Sequence, residues 1–158
     1  MKLTDRQFRK HIFKYIVQCT LATAAVYVIL LILDARSNAA IIGALGASSF
    51  IAFTMPKKHV SEARFMVGGY AVGVGAGALC HFLATWTQLS TVPFAAAAVG
   101  LAIFAMVVTD TEHPPAAGVA LGLVLNGCTY TRVSVVMVGI LALYLIKRLL
   151  RPVLIDLL

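Results

Sequence analysis

The residues able to do chemistry gather in one stretch, Thr109-Asp110-Thr111-Glu112-His113-Pro114-Pro115, set in an otherwise apolar sequence. Two carboxylates and an imidazole could move a proton or hold a cation, and histidine changes charge near neutral pH. The double proline fixes where they sit. Prolines are excluded from a helix interior but fit its first turn, where N–H groups have no intrahelical partner. A helix is therefore expected to begin near Pro114, with polar residues at an amino end that favours anions. Asp110 and Glu112 oppose an anion there. His113 or Arg132 could offset them, or the acids could serve a cation or proton-coupled path. Pro114 and Pro115 are read as structural.

A second candidate group lies upstream in the small-residue run Gly43-Ala44-Leu45-Gly46-Ala47-Ser48-Ser49. Gly46, Ser48 and Ser49 could line a path, although a serine often bonds back to its own helix. The environment of both groups follows from composition. The 158 residues are 61% hydrophobic and only 12% charged, with mean hydropathy +0.94. A soluble domain is about one quarter charged, so these values point to the bilayer. The net charge of +7 is carried at the ends and in one loop. That is how membrane proteins orient themselves, and it argues against nucleic acid as a partner. Cys19, Cys80 and Cys128 show neither zinc nor disulfide spacing, and no metal or cofactor is expected.

The elements that must position these residues are helices. Residues 1–14 are basic and read as a cytoplasmic segment before a first span at 15–33, which is 19 residues without a charge. A second apolar element covers 37–56. The loop after it holds Lys57, Lys58, His59 and Arg64 against Glu62. From 65 to 109 there are 45 uncharged residues, enough for two spans, 65–84 and 93–108, divided by a polar break with Trp86 as an interfacial anchor. The former carries Gly69, Gly73 and Gly77 at four-residue spacing, a face suited to close helix packing. The element after Pro114 is short and stops at Asn126-Gly127. A last span covers 133–146, extended by Lys147 and Arg148 snorkelling at its end, and the tail 149–158 is expected along the interface.

Together these make an all-α polytopic membrane protein with six helical elements, four long and two short. Six passages place every basic segment, and both termini, on the cytoplasmic side of the cell (inner) membrane. Each half, 15–84 and 93–150, then has a long, a short and a long element within one membrane domain, a 3+3 inverted repeat.

With Thr109-x-Thr111-x-His113-Pro114-Pro115-Ala116, Gly46-Ala47-Ser48, and Pro56 followed by Gly68-Gly69, the sequence resembles the HPP family of integral membrane proteins over residues 15–150. Two positions depart from the family's habit. Ala116-Ala117-Gly118-Val119 stands where the family tends to continue Ala-Gly-Ala-Thr or Ser, and Tyr70 stands where a histidine often follows the paired glycines. The family is usually described with four spans. The resemblance implies transport, nitrite being its best-known proposed solute.

The expected function is a small channel or transporter for a small inorganic solute, working as a homo-oligomer in the lipid bilayer. Its path residues would be His113, Glu112, Asp110, Thr109, Thr111, Ser48, Ser49 and Gly46. A non-transporting structural or regulatory subunit is the alternative. A membrane enzyme using His113 with Asp110 or Glu112 is less favoured, because no HExxH motif, phosphate loop, metal cluster or nucleophile constellation accompanies them.

Overall fold

A computed structural model describes residues 6–33 and 39–157, with side chains for 12–31 and 39–157. The basic side chains Lys2, Arg6, Arg9 and Lys10 and the connection 34–38 lie outside that description. Among the described residues there are six α-helices: α1 (Arg6–Leu33), α2 (Ala39–Thr54), α3 (Gly69–Thr87), α4 (Thr91–Thr109), α5 (Pro114–Asn126) and α6 (Tyr130–Leu150). Among the described residues four helices are long and apolar enough to cross a membrane, beginning in α1, at Arg64 ahead of α3, in α4 and in α6. The others are shorter. The 16 residues of α2 and 13 of α5 make about 24 and 20 Å at ~1.5 Å per residue, against a hydrocarbon core of about 30 Å.

Local chemistry sets the boundaries. The prolines occupy the first two positions of α5, as a helix start requires. Thr129 caps α6 by accepting the Arg132 N–H at 3.3 Å, so this helix begins three residues ahead of the expected 133. Asp110 ends α4 in the left-handed region at φ 53. Its N–H donates to the Val107 carbonyl and the Thr111 N–H donates to Met106 at 2.9 Å, a Schellman closure normally given to glycine. Aspartate is among the few residues that tolerate this backbone. Ahead of α3, Arg64–Gly68 forms a π turn that runs directly into the helix.

Packing rests on small residues. A Cβ added to Gly69 would lie 2.6 Å from the His113 Cβ, and one added to Gly77 would lie 2.9 Å from the Ala120 carbonyl oxygen. One added to Gly73 would strike the Ala116 carbonyl. The expected glycine face is thus the surface on which α5 lies parallel to α3. On its other side α5 meets α2 in antiparallel register. Gly122 faces Ala40, where a Cβ would come within 2.8 Å of the alanine methyl, and Gly118 faces Ala44 one turn along. Ala95, Ala98, Ala102 and Met106 give α4 a narrow buried face. Its opposite side exposes Leu101, Phe104 and Val108.

The closely packed helix pairs form a regular set. Helix α1 meets α2 and α6, α4 meets α5 and α3, α2 meets α6, α5 meets α3, and α2–α5 and α3–α6 cross the middle. Exchanging α1 with α4, α2 with α5 and α3 with α6 leaves this set unchanged, which is consistent with a repeat of three helices per half.

One expectation about the carboxyl end is corrected. Lys147 does not snorkel into water: it is 4% exposed, and its ammonium donates to the Ser61 carbonyl at 2.8 Å. The tail is also tied to the bundle. Gln18 of α1 donates to the Phe53 and Ile155 carbonyls and accepts the Ile155 N–H, while Leu157 donates to the Thr54 carbonyl at 2.8 Å. Leu154 and Leu157 are buried beneath. The reason is an unspent amide on α1 and free carbonyls at the end of α2, which the tail satisfies.

Gly73→Ala should lower the stability of the purified protein by about 1–3 kcal/mol through overpacking. Gly75→Ala, whose Cβ meets nothing within 4 Å, should be neutral or slightly stabilising. Denaturant titration of both variants by circular dichroism checks this, and equal effects would remove the case for the glycine face.

Candidate functional site

The antiparallel seam between α2 and α5 ends in polar chemistry. After Ala40 against Gly122 and Ala44 against Gly118, one further turn along α2 is Ser48, and opposite it stands His113, the N-cap residue of α5. The Ser48 hydroxyl lies 2.8 Å from His113 Nε2 and 2.9 Å from the Tyr70 hydroxyl of α3. All three side chains are fully buried. The Tyr70 and His113 rings sit 5.5 Å apart, tilted by 50°. Gly69 makes this possible: with no Cβ, it lets the His113 backbone approach the first turn of α3.

A serine hydroxyl has one proton to give. With a neutral imidazole, either Tyr70 donates to Ser48, which donates to Nε2, or Nε2–H donates to Ser48, which donates to Tyr70. The first order uses both hydroxyl protons and puts the imidazole proton on Nδ1. That nitrogen is buried and makes no hydrogen bond of good geometry among the described residues, although the Val60 backbone carbonyl lies in reach of the ring. The Ser48–His113 distance is that of a nucleophile and its base. Tyr70 contacts the serine rather than orienting the far nitrogen of the ring. Nor do three His, Cys, Asp or Glu side chains come together as a metal-ligand set among the described residues.

The other candidates divide by position. Ser49 is nearly buried and bonds back to the Gly46 carbonyl at 2.7 Å, and it shares with the exposed Gly46 a cavity of about 420 Å³ against α1. Thr109 bonds back to Ala105 and contacts the Thr111 hydroxyl at 2.8 Å. Asp110 is exposed and paired with Arg64 at 2.9 Å, and the same guanidinium donates to the Thr109 carbonyl. Glu112 is exposed and lines, with Met106, Val107, His113, Pro114 and Ala117, an apolar cavity of about 300 Å³. Arg132 does not reach this group. It caps the opposite end of α5, donating to the Gly127 carbonyl at 2.9 Å.

Tyr70 is absent from the expected path residues. Its signal in the sequence is the departure from a family histidine, and only the structure shows it as a hydroxyl in reach of Ser48. Ser61 and Lys147 are absent too, since a carbonyl acceptor leaves no trace in the side-chain pattern.

A bundle of apolar helices with a polar chain locked in its interior defines a polytopic helical membrane protein. Residues 7–153 match the family described as HPP, transmembrane region, and the chain belongs to that family. It is also similar to a transmembrane protein of Dictyostelium discoideum, 32% identical over 81 residues that make up 51% of this chain. The matched part covers 26% of that protein's length, so the chain spans about a quarter of its curated relative. No solved structure matches it.

Ser48→Ala strands both Nε2 and the Tyr70 hydroxyl, and should cost about 1–3 kcal/mol for each group left unpaired. Tyr70→Phe removes one end and leaves Ser48 bonded to His113, so it should cost about 1 kcal/mol. Unfolding free energies of the two variants test the chain; a smaller loss for Ser48→Ala than for Tyr70→Phe contradicts it.

Proposed function

We propose that the protein is a small channel or transporter for a small inorganic solute, nitrite or a related anion first among them, with its path along the α2–α5 seam. The observation that supports this reading is the Ser48–His113–Tyr70 chain. Polar side chains inside a membrane bundle cost free energy and are commonly kept for function. Above the chain the seam is lined by alanine and glycine, so a small separation of α2 from α5 would open a narrow gap with one polar constriction. An oxyanion at that constriction would receive the hydroxyl and imidazole protons that the side chains now share, at the amino end of α5. Thr111, Glu112 and the Asp110–Arg64 pair would stand at its mouth.

In the same proposal the end bearing Lys57, Lys58, Arg64 and Arg148 faces the cytoplasm, by the positive-inside rule. Both termini then lie inside, α2 and α5 complete six passages of the inner membrane, and the halves form an inverted repeat. The protein works as a homo-oligomer and catalyses no reaction. A second reading, a non-transporting membrane subunit, is favoured by the way the three polar groups satisfy one another: the same chain would then only lock α2, α3 and α5 together.

Flux through proteoliposomes decides between them. Wild-type protein should carry nitrite, nitrate, formate or protons above the rate of empty liposomes, and His113→Gln should lower that flux by about tenfold, equivalent to ~1.4 kcal/mol at the barrier. Absence of wild-type flux for every solute leaves the subunit reading. Single cysteines placed at Lys57, Gln88 and Tyr130, with Cys19, Cys80 and Cys128 replaced by serine, report topology. Lys57 should label from inside and the other two from outside, and labelling of Lys57 and Gln88 from one side contradicts six passages.

A further inference from the structure

A second polar site lies at the carboxyl end of α6, apart from the Ser48–His113 chain. A cavity of about 370 Å³ is walled by Arg64, Lys147, Arg148 and Arg151, with Tyr144 and Glu62. Lys147 is the unusual member. Its ammonium is buried, bonded to the Ser61 carbonyl at 2.8 Å and set 5.7 Å from the Tyr144 ring centroid. Among the described residues no carboxylate lies within ion-pair distance of it; Glu62 and Asp156 attract it only from farther away, and a buried cation without a direct counter-charge is costly. Arg64 shares its charge with Asp110. Arg148 and Arg151 are exposed. Counting Glu62 and Asp110 against the four cations leaves an excess of two positive charges. Asp156, which accepts the Lys57 N–H at 3.0 Å, is not among the walls.

The shape and surroundings select the kind of anion. The volume far exceeds a three-atom ion, and arginine forks suit the oxygens of a phosphate. Beside the cavity, Val138, Leu141, Leu145 and Leu149 form a stripe at three- and four-residue spacing, each about half exposed or more, and Val153 continues it. A charged pocket at the foot of an apolar, outward-facing stripe is the arrangement an amphiphile fills from the membrane side.

We propose that this cavity is a phosphate-binding site occupied by the headgroup of an anionic phospholipid, with its acyl chains along the α6 stripe. Binding is measured on the full chain in neutral detergent by native mass spectrometry, titrating phosphatidylglycerol, phosphatidylcholine and inorganic phosphate. Phosphatidylglycerol should bind more tightly than phosphatidylcholine. The Arg148→Gln/Arg151→Gln pair should weaken phosphatidylglycerol by about 30-fold, at about fivefold per cation. Lys57→Gln/Lys58→Gln removes the same charge from the same end, outside the cavity, and should leave binding unchanged. An equal loss in both pairs, or none in the arginine pair, overturns the site. Displacement of phosphatidylglycerol by excess inorganic phosphate, with no preference for the lipid, keeps the phosphate chemistry and overturns the lipid as its source.

Discussion

The structure depends on how closely the short helix α5 can be approached. Lipid chains are as apolar as leucine, so nothing like the aqueous hydrophobic effect drives helices together in a bilayer. What remains is contact, and contact is greatest where backbones nearly touch. Gly69, Gly73 and Gly77 offer that surface to one side of α5, and Ala40 and Ala44 meet Gly118 and Gly122 on the other. A helix of 13 residues is thereby sheathed in protein, and its amino end is delivered to Ser48 and Tyr70. Even a methyl group at Gly69 would strike His113 and move the imidazole off its partners.

Much of this is legible in the amino-acid sequence, for identifiable reasons. Span lengths follow from runs without charge, the start of α5 from two prolines that fit only a first turn, and the α3 face from glycines four apart. The choice between Ser48 and Ser49 is not legible. It depends on rotation about the α2 axis, which a helix of almost uniformly apolar and small residues does not announce. Asp110 reads as a path residue because acids are rare here, yet its backbone closes α4 and its carboxylate pairs with Arg64. Lys147 reads as snorkelling because lysines at span ends usually do. A carbonyl 86 positions away overrides that habit, and no local pattern encodes such a partner.

One connecting segment serves both polar sites. Between α2 and α3, Ser61 bonds to Pro56 and Lys58 carbonyls and presents its own carbonyl to Lys147. The π turn next in the chain sends Arg64 to Asp110 and sets Gly69 against His113. Single π turns inside helices recur at functional positions, because the extra residue re-aims the side chains of the next turn. Here it lets one short stretch of chain fix the entrance of α5 on one side and the basic end of α6 on the other.

The tucked carboxyl segment has a kinetic meaning. Gln18 and Tyr15 of the first helix find acceptors at Ile155 and Leu157, at separations of 137 and 142 residues. During synthesis α1 enters the membrane long before those acceptors exist. Contacts of such long range are slow to form because the intervening chain must first be closed. Helix α1 can therefore dock on α2 early, through Gln18 and the Phe53 carbonyl, but the bonds that tie it to Ile155 and Leu157 form only after α6 has been made.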